Sequence, residues 1–378
     1  MSKSKNQQNS WGNHESIVTD RAADDLRRGL PVIVYDDKVA CALIASETLT
    51  THSHQEFLSK QTNNLDFGVL ISKRRAETLK VPTKGREAIL LCHDAAWSHK
   101  DIQTIADPTL DLSYPLKGPF AHQNRADTTA ERAALKLLKI ANLLPSGLAL
   151  VDEKEQVEKI FGGEAVMSIS AATIDKYDQL KFAEIEEVVR ANVPLDGANN
   201  TTIVSFRSRS GGLENLAIII NDPDTSKPVL TRLHSECFTG DLLGSLKCDC
   251  GTQLKMSISE IEKAGSGVLL YLAQEGRGVG LSAKLKAYTL QEQGYDTVDA
   301  NLRLGFEVDE RIYAPAAKIL KMLNINTVKL MTNNPKKVKA LEGCGIKVAE
   351  RVAHHFPTNK HNENYLETKK TKTGHLID

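Results

Sequence analysis

Three cysteines within fourteen residues, Cys237, Cys248 and Cys250, are the part of this sequence best suited to chemistry. They stand in the run Cys237-Phe-Thr-Gly-Asp-Leu-Leu-Gly-Ser-Leu-Lys-Cys248-Asp-Cys250. Thiolates are good zinc ligands. Three protein ligands leave one tetrahedral position open for water, whose pKa zinc lowers to about 7. His234, just ahead of Cys237, could instead complete a closed structural site. Cys-x-Cys also arises by chance, so the residues alone leave catalytic zinc, structural zinc and no metal open. Cys41, Cys92 and Cys344 sit in apolar or glycine-flanked surroundings and read as packing residues.

Further polar motifs surround the thiols. Arg232-Leu-His-Ser-Glu236 leads into them, and Gln274-Glu-Gly-Arg277-Gly-Val-Gly280 follows an apolar strand. Glycines after a strand let backbone approach a ligand, and Arg277 can fork onto phosphate or a base edge. A strand-to-helix turn with a surface arginine is the plainer alternative. Val308-Asp309-Glu310-Arg311 sets both charge signs side by side, as an exposed helix start also would. Thr332-Asn333-Asn334-Pro335-Lys336-Lys337 puts basic groups where a strand meets a helix, a common anion site, or else a plain Asn-Pro turn. No G-x-x-x-x-G-K-[ST] phosphate loop occurs.

The chain that carries these motifs has 378 residues, enough for two or three domains. Lys+Arg and Asp+Glu both total 48, which argues against coating a nucleic-acid polymer through bulk charge. No apolar run approaches the ~18 residues of a membrane span. Residues 1–15 read as a polar, disordered tail without a signal core, so a cytoplasmic protein is expected and a disulfide framework is not. Charge is uneven along the chain. Residues 151–200 hold 5 basic and 11 acidic groups, whereas residues 301–378 hold 14 basic and 8 acidic. A basic end on a neutral chain suits a small anionic ligand, or is simply a solvated tail.

The elements that must position the motifs alternate between strand and helix. Helix is expected over 16–28, then strand at 31–35, 69–71, 88–92 and 148–151, with an amphipathic helix over 129–144. An acidic helical stretch over 174–190 links the halves, and the turn-rich run 192–200 marks the boundary. The second half predicts strands at 201–206, 216–220, 229–233, 268–272 and 327–331. Its predicted helices cover 253–263, 281–293, 314–323 and 335–343. The fold class is α+β (α/β layered), in two domains over 16–190 and 193–378.

The ordered motifs RLHSECFTGDLLGSLKCDCG, YLAQEGRGVGL, AYTLQEQGYDTVDAN, LGFEVDER and LMTNNPKKV resemble GTP cyclohydrolase II from about residue 193 to 378. The resemblance implies hydrolytic opening of the GTP imidazole ring, with release of formate from C8 and of pyrophosphate. This is the entry step of riboflavin biosynthesis. It implies Cys237, Cys248 and Cys250 as ligands of a catalytic zinc, and Mg²⁺ on the triphosphate. Asp309 corresponds to a general base, Arg311 to a proposed nucleophile on the α-phosphate, and Tyr288 to an essential tyrosine near the reacting base. Arg232, Leu233, His234, Ser235, Glu236, Gln253, Glu275, Gly276, Arg277, Thr297, Thr332 and Lys337 correspond to GTP-contacting positions. A homodimer is implied, and a paralogue acting on another nucleotide is the alternative.

Residues 16–37 and 125–147 resemble the opening helix and strand, and a later helix and Pro-x-Gly turn, of 3,4-dihydroxy-2-butanone 4-phosphate synthase. That family carries an acidic Mg²⁺-binding segment after its first strand and a Gly-His-Thr-Glu motif. Here Asp36-Asp37-Lys38 runs straight into Val39, and no histidine occurs between Gln123 and Ala149. The expectation is a degenerate synthase-like domain with a scaffolding or dimerising role. A bifunctional riboflavin enzyme is the competing reading.

Overall fold

A computed structural model of the chain describes residues 14–61, 66–115, 117–162 and 165–354. The expected N-terminal tail, up to residue 13, and the last stretch of the second domain, beyond 354, lie outside them. The chain forms two compact units: residues 1–180 with 299–308, and residues 181–298 with 309–378.

The first unit is built on a six-stranded sheet. Its strands are β1 (Val32–Tyr35), β2 (Val39–Ala45), β3 (Asp66–Ser72), β4 (Ala88–Cys92), β5 (Ser146–Glu153) and β6 (Met167–Ser170), in the order β4-β3-β5-β2-β1-β6. All neighbours are antiparallel except β1 and β6. Successive side chains of a strand face opposite ways, and β2 is apolar at almost every position, so both faces must be covered. Cys41, Leu43 and Ala45 pack with Ala22 and Leu26 of helix His14–Arg27 and with Ala133 and Leu137 of helix Thr129–Ile140. Ala40, Ala42 and Ile44 pack with Phe57, Ile102 and Val157 on the other face. Thr128 caps the second of those helices, and Glu131 returns a bond to the Thr128 amide.

The second unit is a seven-stranded sheet of β7 (Ile185–Asn192), β8 (Thr201–Ser208), β9 (Asn215–Ile220), β10 (Val229–Ser235), β11 (Gly267–Leu272), β12 (Thr327–Met331) and β13 (Lys347–Val352), in the order β13-β12-β10-β11-β9-β8-β7. The β7 to β9 strands are an antiparallel meander joined to β11, whereas β11, β10, β12 and β13 run parallel. Helices Ala314–Met322 and Pro335–Gly343 cover one face through Ile319, Leu320 and Leu341. Helix Cys250–Lys263 covers the other through Leu254, Ile258 and Ile261.

Two sequence expectations are corrected. The helix expected over 174–190 occupies Ala171–Ala183, and 185–190 belongs to β7, which pairs with β8 from Ile185↔Ser208 to Asn192↔Thr202. Its acidic residues favoured helix by propensity, but an unpaired β8 edge offered a ladder of hydrogen bonds that outweighs it. The compact units divide at 180/181, and the turn-rich run at 192–200 forms the β7–β8 connection. Residues 309–313 are not a helix start but a loop ahead of helix Ala314–Met322.

Candidate active site

Ligand sites in parallel sheets lie outside the carboxyl ends of the strands. Here β10 is flanked by β11 and β12, both parallel to it, with Ser235 level with Leu272 and Thr231 level with Leu330. The motifs singled out from sequence therefore leave one end of the sheet together. Glu236 and Cys237 follow β10, Gln274 to Gly280 follow β11, and Thr332 to Lys337 follow β12.

Cys237 enters a wide turn, Phe238–Leu242, closed by the Leu243 amide on the Phe238 carbonyl. Such i→i+5 turns concentrate at functional sites. The turn folds Cys237 back onto Cys248 and onto Cys250 at the start of helix Cys250–Lys263. The three sulfurs lie within 4.8 Å of one another. Gly240 makes this possible, because a Cβ there would stand 2.6 Å from the Cys248 sulfur and 3.0 Å from that of Cys237.

The Cys237 and Cys248 sulfurs are 3.7 Å apart, too far for a disulfide. Thiolates about 2.3 Å from a tetrahedral cation would stand roughly 3.8 Å apart, so the spacing fits zinc. The ionisation pattern fits too. Hydrogen bonds from Cys248 and Cys250, with Lys284 beside them, draw the Cys237 thiol far down. The same sulfur pushes Cys248 and Cys250 up. One thiolate is thus held at its neighbours' expense, a conflict that a dication resolves. His234 does not complete the set. Its Nε2 meets the Asp241 carboxylate at 3.1 Å, and its ring stacks on Tyr271. Among the described residues the three cysteines form the one group of three or more His, Cys, Asp or Glu placed to hold a metal.

Two residues that the sequence reading did not single out organise this centre. The Asp241 carboxylate accepts from the Cys237 amide at 3.0 Å, from the Tyr271 hydroxyl at 3.0 Å and from His234. An acid inside the apolar run 238–246 was the available signal, since a buried carboxylate needs partners. Lys284 donates to the Cys237 sulfur at 3.0 Å and to Glu275 Oε1 at 2.8 Å. Its signal was a position four residues before Tyr288 on one helix face. Burial alone would lower the Lys284 pKa, but Cys237 and Glu275 hold it above its ordinary value, so it is an ammonium.

Two loops meet beside the thiols. Gln274 bonds Ile312 in both directions, Nε2 to its carbonyl at 2.7 Å and Oε1 from its amide at 3.2 Å. The Glu310 amide donates to the Arg277 carbonyl at 3.1 Å. Gly278 has φ +90°, and a Cβ there would come within 2.9 Å of the Glu310 carbonyl, so this contact requires glycine. Arg277 itself sits at φ +63°, an uncommon conformation for a side-chain-bearing residue. Asp309 and Arg311 form a two-pronged pair, Nε to Oδ1 at 2.8 Å and Nη2 to Oδ2 at 2.6 Å. Burial alone would raise the Asp309 carboxyl, but Arg311 holds it below its ordinary range. Tyr288 lies under the Lys284 and Lys247 ammoniums, 5.8 and 5.4 Å from its ring centre. Burial lifts its phenol to about 12.

The remaining candidates divide by where their polar atoms go. Glu275 accepts from the Phe238 amide at 2.6 Å, the Gly276 amide at 2.8 Å and Lys284, so its carboxylate braces the thiol turn. Arg232 is buried and gives its terminal nitrogens to the Met331 carbonyl and Gln253 Oε1. Burial pushes it down to about 10, and among the described residues its Nε has no partner. The Lys337 ammonium donates to the Leu233 carbonyl at 3.1 Å, while the Leu233 side chain lies in the core. Thr332 is buried and its hydroxyl accepts from the Asn334 amide. Burial, then Glu275, raises the Glu236 carboxyl. Ser235 closes β10, Gly276 has φ +63°, and Thr297 opens the short helix Thr297–Arg303.

A family model described as GTP cyclohydrolase II matches residues 186–353. The chain is 42% identical over 363 residues to a protein named GTP cyclohydrolase-2 from Azospirillum brasilense, covering 95% of this chain and 94% of that one. It is 33% identical over 402 residues to the riboflavin biosynthesis protein RibBA of Phocaeicola vulgatus, covering 95% and 97%. A GTP cyclohydrolase-2 from Aeromonas hydrophila is 53% identical over 176 residues, 47% of this chain but 89% of its own length.

Proposed function

The chain belongs to the GTP cyclohydrolase II family, and from that premise we propose how its residues carry out the reaction. The protein is an enzyme that opens the imidazole ring of GTP and releases formate and pyrophosphate, the first step of riboflavin biosynthesis. The observation that carries the mechanism is the triangle of sulfurs at the carboxyl ends of β10, β11 and β12.

Cys237, Cys248 and Cys250 would hold a zinc ion there. Bound zinc supplies Lewis acidity that activates water at neutral pH against the weakly electrophilic purine C8. The protein's own groups do the rest. The Glu275 brace and the Gly276–Gly278 backbone shape the floor for the nucleotide, and Arg277 is a forked donor for phosphate. Arg232 fixes Gln253, whose Nε2 also bonds Asp249, so Gln253 has a set orientation beside Cys250. The Lys337 ammonium and the amides opening helix Pro335–Gly343 favour an anion at the end of β12. Mg²⁺ would accompany the triphosphate and neutralise the leaving pyrophosphate.

Arg311 works with Asp309 at the α-phosphate. A two-pronged carboxylate orients the guanidinium and is placed to take its proton. Whether it attacks phosphorus or only neutralises charge is decided by Arg311→Lys. Substantial retained pyrophosphate release favours the electrostatic role. Tyr288, protonated at neutral pH, is a hydrogen-bond donor beside the reacting base.

The first unit is read as a synthase-like scaffold without its own reaction. What supports this is the β1–β2 connection. Asp36 closes a tight turn, its Oδ1 accepting from the Lys38 and Val39 amides at 2.9 Å each, where the resembled family carries its Mg²⁺-binding acids. The protein is further read as a cytoplasmic homodimer. Among the described residues no helix is long and apolar enough to cross a membrane.

The test is to incubate zinc-loaded protein with GTP and Mg²⁺ and to measure formate and pyrophosphate together. Both should form in equal amounts, and absence of formate sinks the reading. Dihydroxybutanone phosphate formed from ribulose 5-phosphate would overturn the scaffold role of the first unit.

A further inference from the structure

Three thiolates around a divalent cation carry one net negative charge. A cage of that kind has two handicaps for this reaction. Sulfur donation weakens the cation's Lewis acidity, and the residual charge opposes an anionic nucleotide. Lys284 stands where both handicaps could be relieved. Its ammonium is 3.0 Å from the Cys237 sulfur and only 9% of the residue is exposed, so solvent does little to screen the contact. It is held there from two sides. Glu275 Oε1 accepts from it at 2.8 Å, and Glu275 is itself pinned by the Phe238 and Gly276 amides. Gly276 also packs on the lysine stem, for a Cβ at 276 would lie 3.1 Å from Lys284 Cβ.

We propose that Lys284 is a positioning residue that tunes the metal through Cys237. Its N–H···S bond withdraws electron density from that sulfur, and its charge cancels the excess negative charge of the cage. The geometry favours this over a plain buried ion pair. An ion pair with Glu275 needs no sulfur in reach, yet the ammonium is shared between the carboxylate and the thiol that opens the metal turn. The same helix carries Tyr288 one turn on, with the ammonium 5.8 Å from its ring centre, so the residue also ties the metal turn to the tyrosine.

The proposal rests on the reading of the three cysteines as a metal site, and cobalt(II) substitution separates the two. In the full-length protein, cobalt bound by the cysteines gives a thiolate-to-metal charge-transfer band. Lys284→Met should still bind one cobalt per chain. Its band should move to longer wavelength, because a sulfur without its hydrogen bond gives up an electron more easily. Lys284→Arg should restore most of the wild-type position. Turnover of GTP in the methionine variant should fall roughly 10–100-fold, with a smaller change in KM. Should the methionine variant not fold, Lys284→Leu, which likewise has no N–H to offer the sulfur, gives the same reading. A wild-type band in a cobalt-loaded neutral variant overturns the role of Lys284. Absence of any such band in the wild-type protein overturns the metal site itself.

Discussion

The two sheets solve the same packing problem and treat charge in opposite ways. In the first unit several buried charges neutralise one another locally. Arg75, 1% exposed, bonds both oxygens of Asp111, and Lys117 joins the same carboxylate. Arg125 bridges Glu131 and Asp66. In the second unit the buried polar groups converge and conflict instead. Three thiols crowd one another, and a lysine is shared between sulfur and carboxylate. Satisfied networks specify a fold, whereas local rules are broken where a ligand or cation is to complete them.

The sharpest way to test that contrast is to remove one thiol. Cys248→Ser should abolish zinc retention and lower formate release by at least about 10³-fold, comparable to losing a main catalytic group, with thermal unfolding of the first unit unmoved. Metal content and product assays check this, and a fully active serine variant refutes the metal assignment.

Two glycine substitutions set the units directly against each other. At Gly68 a Cβ would stand 1.7 Å from the Leu91 carbonyl in the β3–β4 pair. Gly68→Ala should therefore cost stability, on the order of 3 kcal/mol or more, measured by denaturant unfolding. Gly240→Ala should instead leave overall stability nearly intact and weaken metal binding roughly 10–100-fold, read by chelator competition.

A smaller effect is expected from Glu131→Gln. Removing one partner of a largely buried pair should cost about 3 kcal/mol while the folded fraction keeps its cyclohydrolase activity. Loss of activity per folded molecule would break the distinction between the units.

The smallest effect concerns pH. Burial, aided by His99, lowers the His54 pKa below 6.5. Burial, then His54, lowers that of His93 below 6.5, with Asp94 opposing. Folding with a depressed histidine pKa binds fewer protons than the unfolded chain. The stabilisation is therefore complete above pH 6.5 and is lost as pH falls through the folded values. The unfolding temperature of the first unit should begin to drop below pH 6.5, and His54→Gln with His93→Gln should blunt the drop.

Much of the second unit was legible because its signals are local. Period and breakers announce β8 to β12 and four of the helices between Cys250 and Gly343, and the thiol spacing announces the cysteine cluster. What misled was β7. Residues 185–190 are acidic and continue a helical pattern, and only pairing with the edge of β8, across the connection at 192–200, makes them a strand. Asp241 and Lys284 were overlooked for a related reason. A carboxylate or ammonium in an amphipathic stretch ordinarily faces water, and nothing nearby in the chain says that it will be buried.

The sequence by itself determined which donors are available: three thiols at close spacing, a carboxylate and arginine two residues apart, and glycines where backbone must come near. These depend on residue type and on contacts within a turn or two. Only the tertiary structure decided what each donor is spent on. Parallel pairing of β10, β11 and β12 brings motifs nearly a hundred residues apart to one end of a sheet. There Glu275 becomes a brace, Arg232 a strut, and Lys284 a neighbour of the Cys237 sulfur. The physical reason is that a buried charge takes its role from its partners, and those partners are set by strand order and register, not by neighbours in the chain.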